Sequence, residues 1–224
     1  MIYPFEINDY SLDFAEKHYP DLATLKKINL VSHRERVDIV RIYFTEGIPF
    51  AFIKNPILYE KIRVWLAKHF EVDPKSISIT GSARIGYTLN PNKVQGTAFA
   101  QNSDLDLILV DEKFFNYMVD DYFSFVEQLN SKLSQNYGRY EHLLNNTLEI
   151  ERSITRFGFI DQWKIPDWSG LPKVNIAYSH LRHLTERMSV TNNCPRVSKA
   201  SIRIYKDWES CVNRLSININ AALK

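Results

Sequence analysis

The chain has 224 residues, 45% of them apolar, and a formal net charge of +2, enough for a packed core and too nearly neutral for a protein that grips polyanions over its whole surface. Two cysteines, Cys194 and Cys211, exclude a disulfide framework and, without further Cys or His at zinc spacing, a zinc module; they read as a reduced intracellular pair. The opening MIYPFEINDY lacks a basic stretch ahead of an apolar run, and no segment approaches the roughly 18–20 apolar residues of a membrane span, so a soluble, cytoplasmic protein is expected.

In chain order, helices are expected over Asp9–His18 and Asp21–Tyr43, before Gly47 and Pro49 punctuate the chain. Pro56 is suited to open a helix, and Leu58, Ile62, Trp65 and Leu66 follow at helical spacing. Asp73-Pro74 then favours a turn. Ser76–Thr80, SISIT, alternates as a strand does. It runs into GSARIGYT, which is nearly a phosphate-binding P-loop: glycine, four residues, glycine, lysine, then serine or threonine. Tyr87 stands where the lysine belongs, and LNPN stops any long helix after Thr88. A degenerate P-loop is therefore disfavoured.

Asn90–Ser103 reads as a loop or short hairpin, and SDLDLILVD as a buried strand. The next helix places Phe115, Met118, Tyr122, Val126 and Leu129 on one face. Further helices are expected near Thr147–Arg156, up to about Arg187, and over Asp207–Leu223, with an aromatic loop reaching Trp168 and a strand at SIRIY, Ser201–Tyr205. The order predicts an α+β fold, a small mixed sheet backed and wrapped by helices. Residues 1–50 would form an N-terminal helical segment and 51–145 the core. Residues 146–224 would be a C-terminal mixed part completing the same globule.

Asp104 and Asp106 lie two apart on the expected strand, so both carboxylates leave the same face. At about 6 Å they repel by about 3 kcal/mol for an effective dielectric near 20. A hard divalent cation relieves that repulsion, and Mg²⁺ fills its remaining positions with substrate phosphates. The other reading is a solvated Asp-x-Asp at a strand end.

A strand ending in Gly81-Ser82, then Ser103-Asp104-Leu105-Asp106 opening the next strand, resembles the nucleotidyltransferase superfamily typified by DNA polymerase beta. Within it, GSARIG followed by SDLDLILV looks most like bacterial stand-alone enzymes and cyclic-oligonucleotide synthases. The resemblance covers Ile77–Asp111, with a longer gap between the two motifs than is usual there. It implies Mg²⁺-dependent (or Mn²⁺-dependent) transfer of a nucleoside monophosphate from ATP or another nucleoside triphosphate, with loss of pyrophosphate. The acceptor hydroxyl could belong to an RNA end such as tRNA, a protein, a small molecule or a nucleotide. Asp104 and Asp106 would be catalytic and hold one or two metal ions. Gly81, the Ser82 and Ala83 amides with the Ser82 hydroxyl, and Arg84 would bind phosphates.

Active members of that superfamily bring a third acid from a later strand. Asp207 is the best placed here, although KDWES equally reads as a helix start with Asp207 as N-cap. Glu149 and Glu151 are alternatives, read as lying off an apolar helical face; Asp161 sits in an aromatic loop with no strand around it, and Val174-Asn175-Ile176 has apolar flanks but an asparagine between them. Without a third acid, the same fold would be an inactive nucleotide-binding or interaction module. His180, His183 and Arg187, with Lys199, Arg203 and Lys206 after them, read as a solvated face. The alternative is a patch steering a triphosphate or RNA end toward the acids.

Overall fold

A computed structural model of the chain describes residues 13–14, 17–133, 137–165 and 172–224. The fold is α+β, and the described residues form eight helices around a four-stranded mixed sheet. The expected Asp9–His18 helix falls largely outside the described residues. The expected Asp21–Tyr43 helix is two, α1 (Leu22–Lys26) and α2 (His33–Val40). The break has a local cause: Ser32 caps α2 through a capping box with Glu35, and that Ser-x-x-Glu spacing starts a new helix. A π-helical turn, Arg41–Thr45, extends α2, and Gly47 follows with φ +77°.

Helix α3 (Pro56–Phe70) opens on proline. Strand β1 (Ile77–Thr80) leads into a single short helix, α4 (Gly81–Ile85), closed by Gly86. The segment after it folds back as a short hairpin bridged at Tyr87 and Ala98. Tyr87, in the position of a P-loop lysine, donates its hydroxyl to the Pro20 carbonyl at 2.7 Å and so ties this hairpin to the N-terminal segment.

Strand β2 (Leu105–Val110) is followed by α5 (Glu112–Leu133), whose first turn Asp111 caps through the Phe114 amide. Helix α6 (Tyr137–Phe157) is longer than the Thr147–Arg156 expected. Strand β3 (Phe159–Asp161) lies where an aromatic loop is expected. Helix α7 (Pro172–Val190), strand β4 (Ala200–Tyr205) and helix α8 (Trp208–Ala222) complete the chain. Val174-Asn175-Ile176 lies in α7, not on a strand. None of the described helices is long and apolar enough to cross a membrane.

The sheet order is β1-β2-β4-β3. β2 and β4 run parallel, while β1 and β3 pair antiparallel at the two edges. Parallel neighbours need a long crossover, which α5, α6 and α7 supply. Those helices and α3 cover one face, where Ile77, Ile79, Leu107, Leu109, Ile202 and Ile204 are buried in one cluster. Leu107 is at its centre, and Leu107→Ala would cost about 2–5 kcal/mol.

The opposite face is divided. At the C-terminal ends of β2 and β4, Ile108, Val110 and Tyr205 pack with Cys211, Val212 and Leu215 of α8 and with the N-terminal helices. At the N-terminal ends the same face is polar. Thr80, Asp106 and Ser201 stand in register across three strands, and Arg203 pairs with Asp161 across the next. Half of one sheet face is thus left uncovered by apolar packing.

Candidate functional site

The polar half-face forms the floor of a cleft of about 370 Å³, lined among others by Gly81, Asp104, Asp106, Asp161, Lys199 and Arg203. Asp104 is held by Ser198, whose hydroxyl donates to Oδ1 at 2.5 Å, and Lys199 Nζ is 3.8 Å from Oδ2. Asp106 accepts the Ser201 hydroxyl at 2.9 Å. Burial raises its pKa above the ordinary carboxylate value. The Ser201 bond opposes this, the Asp104 charge adds to it, Arg203 lowers it and Asp161 raises it again. None of the ion pairs among the described residues involves Asp106.

Gly81 lets the two motifs meet. It has φ +66°, and a Cβ there would lie 2.6 Å from Asp106 Oδ2. Strand β1 therefore ends against the carboxylate at the one residue type that has no side chain. Ser82, next in sequence, is partly exposed at the start of α4.

Arg84 does not face this cleft. It is 4% exposed, and its guanidinium donates to the carbonyls of Ile48 at 2.6 Å, of Ile42 at 3.5 Å and of Glu46. A phosphate contact is excluded in this arrangement, and the residue instead fixes the 42–48 turn against α4. The apolar neighbours of Arg84 in GSARIG, Ala83 and Ile85, are buried with it.

Asp207 is also elsewhere. It caps α8, accepting the Ser210 amide at 2.7 Å, and lines a separate cleft with Glu112 and Lys206. Asp106 pairs with Ser201 at the start of β4, and at ~3.3 Å per residue about 13 Å of strand separates Ser201 from Tyr205 alone. The capping alternative describes Asp207, and its assignment as third acid is corrected.

The β4 positions on the aspartate face are Ser201 and Arg203. Among the described residues that line the cleft, the further carboxylate is Asp161, expected in a loop. It belongs to β3, and its Oδ2 is 2.8 Å from Arg203 Nη2. Among the described residues no group of three or more His, Cys, Asp or Glu is arranged to hold a metal ion. Asp104 and Asp106 by themselves offer the one or two carboxylates that a single Mg²⁺ commonly takes, its shell completed by water and phosphate. The cleft does not fit a pair of ions, because a second would share Asp161 with Arg203.

Of the later basic residues, Lys199 and Arg203 line the cleft. Lys206 lies with Asp207. His180 is packed between α3 and α7, with ring centroids 4.5 Å from His69 and 6.2 Å from Trp65, and Arg187 lies over Trp65. His180 is half-buried in this helix interface, whereas His183 and Arg187 are exposed, as expected of a solvated face.

Comparison with protein-family models, with curated proteins and with solved structures finds no match. The site is defined by its own geometry: a glycine turn and two carboxylates in a polar cleft on an otherwise covered sheet.

Proposed function

We propose that the protein is a Mg²⁺-dependent nucleotidyltransferase, with Asp104 and Asp106 as its metal-holding carboxylates. The observation that supports this best is Asp106: a partly buried carboxylate beside a second one, which among the described residues has one hydroxyl partner and no ion pair, and whose pKa is raised. Such a group favours either a proton or a cation. Bound there, Mg²⁺ would bring phosphate oxygens to the carboxylates and neutralise charge that develops during transfer.

The chain's own residues have separate parts in this reading. Gly81 leaves room for the Asp106 carboxylate against the end of β1. Ser198 and Ser201 orient the two carboxylates through their hydroxyl bonds. Lys199 adds positive charge at the rim. An acceptor hydroxyl attacks the α-phosphorus, the new P–O bond replaces the α–β bridge, and pyrophosphate leaves. Release of pyrophosphate from each of the four Mg²⁺-nucleotides, with RNA, protein and small-alcohol acceptors, tests this. Asp104→Ala and Asp106→Ala should abolish release in folded protein; wild-type release by both variants would refute the assignment.

A second reading has its own support. Ser201 stands beside Asp106, Arg203 follows it on the same face of β4, and Asp161 is already paired. A cleft in which Asp104 lies beside Lys199 and Asp161 is paired with Arg203 can hold a Mg²⁺-nucleotide without turning it over. Tight binding without pyrophosphate release from any nucleotide would favour this binding module, and absence of both would reject the two readings together.

A further inference from the structure

One aromatic side chain at the rim of the cleft is both exposed and firmly mounted. Trp163 is 56% exposed and lines the cleft that holds Asp104 and Asp106. It sits on a single 3-10 turn, Gln162–Lys164, that follows β3. Asp161 Oδ1 accepts the Trp163 amide at 3.3 Å while its Oδ2 pairs with Arg203. Tyr178 of α7 donates its hydroxyl to the carbonyls of Gln162 at 3.0 Å and Ile165 at 2.8 Å. Lys164 is paired with Glu149 of α6, and Ile165 is fully buried. The turn is thus pinned from β4, α6 and α7, and it presents the indole outward.

Lys199 joins that indole to the acids. Its Nζ lies 4.3 Å from the Trp163 ring centroid and 3.8 Å from Asp104 Oδ2. The ammonium holds the place of a cation between a π-face and a carboxylate. A ligand carrying phosphates and a planar ring could take over both contacts, with the phosphates toward Lys199 and the carboxylates' metal and the ring toward the indole.

We propose that Trp163 is the stacking platform for the base of the nucleotide, with Lys199 uncovering it as the ammonium turns to the phosphates. This rests on the nucleotide site proposed above and adds to it the part of the ligand that the acids do not touch. Stacking is tolerant of base identity, because every base has a π-face. Trp163 therefore supplies affinity for nucleotides as a class, with purines favoured by their larger ring.

The test is calorimetric titration of the full chain with Mg²⁺-ATP and, separately, with Mg²⁺-tripolyphosphate, which has the phosphates but no base. Trp163→Ala should weaken Mg²⁺-ATP roughly tenfold, the scale of losing one base–aromatic stack, and leave Mg²⁺-tripolyphosphate within about twofold. Trp163→Tyr should restore most of the loss. Unchanged Mg²⁺-ATP affinity in Trp163→Ala would overturn the platform, as would equal weakening toward both ligands. Asp106→Asn separates this from the underlying site. If that variant loses both ligands while Trp163→Ala loses neither, the platform fails and the acid site stands. If wild type binds neither, both fail.

Discussion

A β-carbon on Gly81 would lie 2.6 Å from Oδ2 of Asp106. The turn after β1 and the second acid of β2 are therefore fitted to one another, and a side chain at position 81 must displace the carboxylate. Gly81 also has φ +66°, which costs an L-residue about 1–2 kcal/mol. Gly81→Ala should destabilise by at least that amount, and by less when Asp106 is truncated. In a double-mutant cycle followed by urea unfolding, the coupling between Gly81→Ala and Asp106→Ala should be about 0.5–3 kcal/mol. Equal costs in the two backgrounds would show that the contact does not strain the fold.

Asp106 gives the ligand-free protein a pH dependence of definite sign. Burial first, then Asp104 and Asp161, raise its pKa against the lowering effects of Ser201 and Arg203. Between the unfolded pKa near 3.9 and the higher folded one, the folded chain binds more protons than the unfolded chain. The residue's contribution to stability therefore falls as pH rises through that window and remains a cost above it. Asp106→Asn keeps an acceptor for Ser201 and removes the charge. It should melt above wild type at pH 7 without Mg²⁺, with the difference closing as pH falls to about 4. Saturating Mg²⁺-ATP should reverse the order, because only wild type gains the binding energy. A variant that melts below wild type at neutral pH without ligand would contradict the sign.

The short-range signals were readable in the sequence, and the long-range ones were not. Pro56 opening α3, the alternation of Ile77 and Ile79, and the spacing of Phe115, Met118, Tyr122 and Leu129 are local, and each element formed where those residues lie. The aspartates two apart did leave one face together, because strand geometry fixes that without reference to any partner. Strand β3 could not be read, since three residues at a sheet edge gain their extended form from pairing with β4. Asp161 was misplaced with it. Sequence places Arg84 beside the glycine turn, where either a phosphate contact or a surface arginine is expected. What it binds are three carbonyls some 36–42 residues earlier in the chain. The Ser32–Glu35 capping box was legible and overlooked, and it alone would have divided the N-terminal helix.

Arg84 should matter for stability and not for ligand affinity. Arg84→Met keeps most of the buried volume and leaves the Ile42, Glu46 and Ile48 carbonyls without their donor. Each of these part-buried carbonyls left without its donor costs about 1 kcal/mol or more, so a loss on the order of 3 kcal/mol or more is expected by denaturant unfolding. The folded fraction should bind Mg²⁺-ATP within about twofold of wild type, since the guanidinium does not reach the acids. Selective loss of affinity with unchanged stability would restore its assignment to the phosphates.

Asp207→Ala should remove a helix cap and nothing else. Losing the bond to the Ser210 amide should cost about 1 kcal/mol. Nucleotide binding, and any pyrophosphate release, should stay at the wild-type level at temperatures where the protein is folded. A collapse of release with unaltered melting would mean that Asp207 reaches the reacting atoms in another arrangement of the chain.

In the proposed function Asp104 and Asp106 together hold a metal–nucleotide complex, and that binding can be measured without knowing the acceptor. Calorimetric titration of wild type, Asp104→Ala and Asp106→Ala with a non-hydrolysable ATP analogue, in Mg²⁺ and in chelator, isolates that step. Wild type should bind only with Mg²⁺, and each variant should weaken by at least about tenfold, the cost of disturbing even an outer-shell partner of a metal ligand. Equal affinity in all three proteins, or affinity indifferent to Mg²⁺, would contradict it.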